Sequence, residues 1–246
     1  MTFALAFLFA AMSSADAVIH VLNAPTSCGK KVYEEAQAVV ERDAKAGKTL
    51  QQFVFGVTRT DDPKLAERYL AASRDRIYEM AEKRNNSMAW YLMSVEKNSV
   101  ECLQKAADGG NVQALNALGS LILEEALARR NADTNQLAAS FRKCFAYFQR
   151  AARLKDANGF VNLGTCFLRG FGCKQNLEAA VRCYEAAAAL GHPEAMDNLS
   201  AAYQFGHGVE ADSEKSLVWA MRARALRGDR AAEEWLARRL TRKGEL

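Results

Sequence analysis

Written in register at its glycines, the second half of this chain repeats itself. Residues 157–192 read "ANGFVNLGTCFLRGFGCKQNLEAAVRCYEAAAALGH" and residues 193–229 read "PEAMDNLSAAYQFGHGVEADSEKSLVWAMRARALRGD". Gly170 and Gly172 recur as Gly206 and Gly208, Asn162-Leu163 as Asn198-Leu199, and Asn176 falls on Asp212. A unit of about this length cannot bury its own apolar face, so copies must stack on one another. That requirement excludes most globular architectures before any motif is considered.

Each copy resolves into two helices. The first, over about 158–169 and 194–205, carries small residues (Gly159, Gly164; Ala195, Ser200) where another helix must come close. A glycine loop follows, in which φ > 0 carries no steric penalty. Asn176 and Asp212 stand where an N-cap of the second helix belongs, and Pro193 stands at a helix start, where its missing N–H is harmless. The second helix shows apolar residues at three- and four-residue spacing: Leu177, Ala180, Val181, Tyr184 and Ala187. Only three prolines interrupt a chain rich in Ala and Leu, and no alternating β-branched run is long enough for a sheet.

The pattern weakens toward the N-terminus. "GGNVQALNALG" (109–119) repeats a first-helix start and "CFAYFQRAARLKD" (144–156) a second-helix end. The unit 111–156 is ten residues longer than its successor and lacks the glycine loop. "VECLQKAADGG" (100–110) is another second-helix end, "SMAWYLMSVEKN" (87–98) a shortened first helix, and 61–86 a long helix capped by Asp62 with Pro63 first. "AAEEWLARRL" (231–240) reads as a first helix without a partner, a solenoid's closing cap. The expected organisation is a leader over 1–17, an N-terminal segment 18–49 without a structural assignment, degenerate helical repeats over 50–110, clear repeats over 111–229, and a capping helix and tail over 230–246.

Small-x-x-x-Leu-Gly, then Gly-x-Gly, an Asx cap, a Tyr/Trp position and "AA…GH" together resemble Sel1-like repeats, relatives of the tetratricopeptide repeats. The resemblance covers 157–229 in full, 100–156 in good part and 50–99 thinly. It implies an all-α fold, a right-handed α/α solenoid of helix-turn-helix repeats that binds a protein or peptide. It also implies that the Asn before Leu-Gly faces the concave groove, where it can hold a peptide backbone. By position this selects Asn162 and Asn198, with Ala117 in the earlier unit. Helical spacing adds Thr165, Arg169, Asp197 and Gln204 as groove neighbours. The alternative is that both asparagines bond to the adjacent repeat.

The motif "LRGFGCKQN" (168–176) does not have the makings of a phosphate loop. No strand precedes it, it lacks the Ser/Thr, and its copy carries Glu210 where Lys174 stands. His20, His192 and His207 occupy different places in the repeat frame, and Cys166 and Cys173 are too far apart for a zinc knuckle. No nucleophile–base set stands out, so neither a catalytic residue, a metal nor a cofactor is assigned. Tyr147, Tyr184, Trp219, Phe145 and Phe148 are read as inter-helix filling.

Cys28, Cys102, Cys144, Cys166, Cys173 and Cys183 are an even set, which in an exported chain reads as disulfides and in a reducing compartment as small buried hydrophobes. Cys144 and Cys166 each lie 11 residues from Lys155, at the turn between two units, so they stand level on neighbouring helices. They are the expected pair, with the other four unordered.

Export itself is read from Phe3–Met12, an apolar run too short to span a bilayer, followed by the small-x-small site Ala15-Asp16-Ala17. A retained, buried N-terminal helix is the alternative. The formal charge is +4, with eight Lys/Arg against three acids over 222–243, which suits an anionic partner or a solvated helix face. With a leader present, nucleic acid is not expected, and no second apolar run is long enough to anchor the chain. The reading reached is a non-enzymatic protein- or peptide-binding adaptor acting outside the cytoplasm. The alternatives are a hydrolase of cell-wall peptides or β-lactams, as proposed for cysteine-rich relatives, and a cytosolic scaffold.

Overall fold

The structure, a computed structural model, describes residues 30–58, 62–129 and 133–243. The leader expected over 1–17, the rest of the segment to residue 29 and Cys28 lie outside these residues. Among the described residues there are twelve helices and no strand. The chain divides into two compact units that meet at residues 111 and 112, and each is an all-α solenoid segment in its own right.

The N-terminal unit holds α1 (Lys30–Lys45), α2 (Thr49–Thr58), α3 (Pro63–Glu82), α4 (Ser87–Lys97) and α5 (Val100–Asp108). Helix α2 pairs with α3, and α4 with α5, while α1 packs on α2. The start of α3 follows from its sequence: Pro63 is first, and the Leu65 N–H donates to Asp62 Oδ1 at 3.0 Å. Asn86 and Ser99 cap α4 and α5 in the same way. Phe53, Val54, Ile77, Leu92 and Met93 form the interior. Glu96 ties α4 to α3 by accepting from Arg74 Nε and Tyr78 Oη, each at 2.7 Å.

The C-terminal unit holds α6 (Val112–Ala128), α7 (Thr134–Arg153), α8 (Ala157–Arg169), α9 (Leu177–Ala189), α10 (Pro193–Phe205), α11 (Ser213–Leu226) and α12 (Arg230–Lys243). They form three antiparallel pairs and a closing helix, each helix packing on the next. Within a pair, a small residue lets the helices close up. Gly119 lies under the Phe148 ring, and a Cβ on Gly164 would stand 2.6 Å from Tyr184 Cε1. At the third equivalent position the contact is polar, Ser200 Oγ to Ser216 Oγ at 3.1 Å. Between pairs the seam is built on alanine: Ala151, Ala187 and Ala223, 36 residues apart, are all fully buried. Against the first of these, a Cβ on Gly159 would lie 2.7 Å from the Ala152 backbone nitrogen.

The two glycine loops have the same build. Gly170 (φ 72°) and Gly206 (φ 71°) end α8 and α10 in the left-handed conformation, and Asn176 and Asp212 then cap α9 and α11 through the N–H groups of Ala179 and Lys215, both at 2.9 Å. The second glycine of each loop rests on the backbone of the preceding repeat. A Cβ on Gly172 would collide with the Phe141 carbonyl, and one on Gly208 with the peptide of Leu177. Both contacts span 31 residues, so Phe141 and Leu177 are equivalent. On this register α7 starts seven residues earlier than α9 does, and α6 outruns the frame by four. The extra length of the 111–156 unit thus goes into longer helices rather than a long loop.

These contacts make the second glycine the more demanding one. Gly172→Ala combines a left-handed φ of 73° with a backbone collision and is expected to cost about 3 kcal/mol or more. Gly191→Ala, at φ 81° with nothing within 4 Å, is expected to cost only about 1 kcal/mol. Denaturant unfolding of both variants checks the ranking, and equal losses would contradict it.

Candidate partner-binding face

Helix α8 is anchored on most of its circumference. Val161, Leu163, Gly164 and Cys166 are buried and Phe160, Phe167 and Leu168 pack partly against the core. What remains at 100° per residue is a stripe of Asn158, Asn162 and Arg169. On α10 the equivalent stripe is Glu194, Asn198, Ala201 and Phe205. Asn162 and Asn198 are half-buried, and their amides make no hydrogen bond to another described residue.

The polar contacts to the turns between repeats are made by other residues. Asn116 Nδ2 on α6 donates to Asp156 Oδ2 at 2.7 Å, in the turn that opens the next repeat. Asn158 Oδ1 on α8 accepts from His192 Nε2 at 3.0 Å, in the turn that closes its own repeat and opens the next. On α10, Asp197 pairs with Arg227, again in the following turn. Asp197, expected in the groove, is therefore engaged with the end of α11 within its own repeat. Thr165 is engaged too: its hydroxyl donates to the Val161 carbonyl at 3.1 Å and stands 3.4 Å from Tyr184 Oη. Arg169 and Gln204 are exposed, and Gln204 lies on the flank of α10 that carries Asp197 rather than beside Asn198.

Sequence reasoning missed Phe205. It is 62% exposed, follows Asn198 by two helical turns, and lies 5.7 Å from the His207 ring between centroids. The available signal was the register itself, because Phe205 replaces Arg169 at the last position of the first helix. An apolar residue where the previous copy places a charge marks a surface position that the fold does not explain. His192 was missed as well, since its Asn158 partner lies 34 residues away.

The cysteines fall into two settings. Cys102 is buried in the N-terminal unit, while Cys144, Cys166, Cys173 and Cys183 gather around α7, α8 and α9. All five described cysteines are free thiols in this structure. Cys144 and Cys166, expected to be level, are brought together in one buried cluster. Their mutual interaction holds the Cys144 thiol below its ordinary range and raises Cys166, which burial raises further. Burial pushes Cys183 up to about 11 and also raises Cys173. None of these last three is an activated thiolate.

No group of three or more His, Cys, Asp or Glu among the described residues is arranged to hold a metal ion. Two surface cavities stand out. One of about 420 Å³ in the N-terminal unit is lined by Val57, Pro63, Leu70 and Val95 with Glu67 and Glu96, and the Glu96 carboxylate is held by Arg74 and Tyr78. The other, about 260 Å³, lies between Phe141 and Arg142 of α7 and the Gly170–Cys173 loop. Neither gathers a nucleophile and a base. Much of the basic C-terminal run is internally paired: Arg224 with Asp229, Arg227 with Asp197, Arg238 with Glu234 and Arg239 with Glu214.

His192 gives the fold a pH response. It is 3% exposed, its Nε2 proton is directed at Asn158, and Nδ1 is buried without a partner. Burial lowers its pKa, opposed by Glu194 and Asp156 and assisted by Arg227. In the unfolded chain the ring titrates near 6.5. Above that pH folded and unfolded states bind the same number of protons, and below it the unfolded state takes up a proton that the folded state resists. Stability attributable to this ring is therefore complete above about pH 6.5 and declines as the pH falls below it. His192→Gln keeps a donor for Asn158 and should flatten the melting-temperature profile below that pH. A variant that keeps the full slope would contradict this role.

Four stretches of the chain, 65–111, 112–156, 161–192 and 193–226, match the model of the Sel1 repeat. Among curated proteins the chain is similar to DAP3-binding cell death enhancer 1 of Rattus norvegicus, 32% identical over 103 residues, and to that of Mus musculus, 31% identical over 103. Each alignment covers 42% of this chain but only 18% of the relative, so the match spans less than a fifth of those proteins' length. Among solved structures it is similar in fold to c5321, a protective antigen of uropathogenic Escherichia coli displaying an SLR fold. There the TM-score is 0.52 at 19% identity, covering 89% of this chain and 48% of that one. The helix pairs, glycine loops and buried seams described above are thus those of a known repeat, and the chain belongs to the Sel1 repeat family.

Proposed function

We propose that this chain is a non-enzymatic adaptor that binds a protein or peptide along the first-helix face of its C-terminal repeats. The observation that carries this reading is the pair of unpartnered amides. Asn162 and Asn198 recur at the same place in successive first helices, while Asn116, Asn158 and Asp197 bond to the turns that close their repeats. A side-chain amide offers both a donor and an acceptor, the complement of a peptide group. Sel1 repeats in general serve as protein-interaction scaffolds rather than catalysts, and the similar rat and mouse proteins are DAP3-binding by name. We further propose that the protein works outside the cytoplasm, supported by the apolar run 3–12 and Ala15-Asp16-Ala17. N-terminal sequencing of the native protein should then begin at Val18, and a retained Met1 or Thr2 would refute export by this leader.

The binding reading is tested with peptides selected from a random display library on the purified chain. Asn162→Ala/Asn198→Ala should weaken the selected peptide by about tenfold or more while leaving the melting temperature within about 2 °C. Calorimetric titration and thermal melts read the two effects separately. Unchanged peptide affinity would reject the groove, and a large fall in melting temperature would assign both residues to structure.

A further inference from the structure

The seam between α7 and α8 has a feature that partner binding does not use. Cys144 and Cys166 lie on helices of successive repeats, both 0% exposed, in one core with Phe148, Ala152 and Leu163. The two sulfurs are close enough in this core to influence each other's ionisation, and Cys144 Sγ donates to the Phe141 carbonyl at 3.1 Å. The next seam shows what the fold itself requires here. Thirty-six residues on, the equivalents of Cys144 and Cys166 are Ala180 and Ala202, both buried. The packing is thus satisfied by alanine, and a pair of buried thiols adds little to it.

We propose that Cys144 and Cys166 are a disulfide-forming pair that fastens the α6–α7 repeat to the α8–α9 repeat. With a small disulfide such as oxidised glutathione as oxidant, one cysteine, as thiolate, attacks a glutathione sulfur and expels glutathione thiolate, leaving a mixed disulfide. The second cysteine, as thiolate, attacks the protein sulfur of that mixed disulfide, and a second glutathione leaves. The two cysteines lose two electrons and two protons in total, and both appear in two molecules of reduced glutathione. Because both sulfurs are buried, exchange takes place only when the seam opens, and the finished bond is sheltered from reductant in the closed repeat. Cys173 is the rival partner, half-buried with its Sγ 3.5 Å from the Cys166 carbonyl. The pairing is independent of what the first-helix face binds.

The test uses the full chain equilibrated in reduced and oxidised glutathione, unfolded in acid, alkylated and mapped by mass spectrometry without reduction. A peptide pair joined through Cys144 and Cys166, two hydrogens lighter than the separate thiol peptides, is the expected product. The oxidised protein should melt about 5–10 °C above the reduced one. Cys173→Ala and Cys183→Ala should keep both the product and the shift, whereas Cys144→Ala should lose both. Mapping of the unsubstituted chain decides the matter even if Cys144→Ala fails to fold. Cys166 joined to Cys173, complete alkylation of Cys144 and Cys166 after oxidation, or identical melting of the two forms would each overturn the proposal.

Discussion

The C-terminal repeats depend on two backbones touching. Gly172 and Gly208 let a loop lie directly on the peptide groups of the preceding second helix, a distance at which no side chain can intervene. The contact fixes the height of one repeat above another. It does so through main-chain atoms, so the spacing is independent of which residues fill the core nearby. The alanine seam of Ala151, Ala187 and Ala223 follows the same logic on the other side of the stack, since close helices exclude larger side chains. Side chains then have only the remaining volume to fill, which Phe148 and Tyr184 do beneath Gly119 and Gly164.

This arrangement decides which surface is left over. Second helices are covered on two sides by first helices, and the turns between repeats are bonded by Asn116, Asn158 and Asp197. The first helices keep a narrow stripe that the other described helices leave partly open. On it sit two amides in register, with Arg169 at the end of one helix and Phe205 at the end of the next. Amides recognise any backbone and are indifferent to sequence. In the binding role proposed above, a charge and an aromatic ring at matched positions are the features that would distinguish one ligand from another.

What the sequence disclosed divides by range. Caps and turn glycines depend on residues three or four positions apart, and Asp62, Asn176, Asp212, Gly170 and Gly206 act as their local context dictates. The 36-residue period was legible because identical contacts impose similar residues. The fate of the longer 111–156 unit was not, since extra residues can enter a loop or lengthen helices, and only packing beyond the hairpin decides. The Asn158–His192 bond and the meeting of Cys144 with Cys166 depend on rotation about helix axes. Level height could be counted along the chain, but facing could not. Thr165 and Asp197 lay at suitable spacing for the groove, and their bonds to Tyr184 and Arg227 follow from neighbours 19 and 30 residues away.

The equal span from Phe141 to Gly172 and from Leu177 to Gly208 means that height in the stack is counted from the seam outward. Residues added between α6 and α7 fall beyond the last point of that count. The free end of this hairpin can grow, shrink or carry foreign sequence while the neighbouring repeats keep their positions. Helices α6 and α7 already show the allowance in use, since their surplus turns leave the Gly172 contact where the shorter repeat has it.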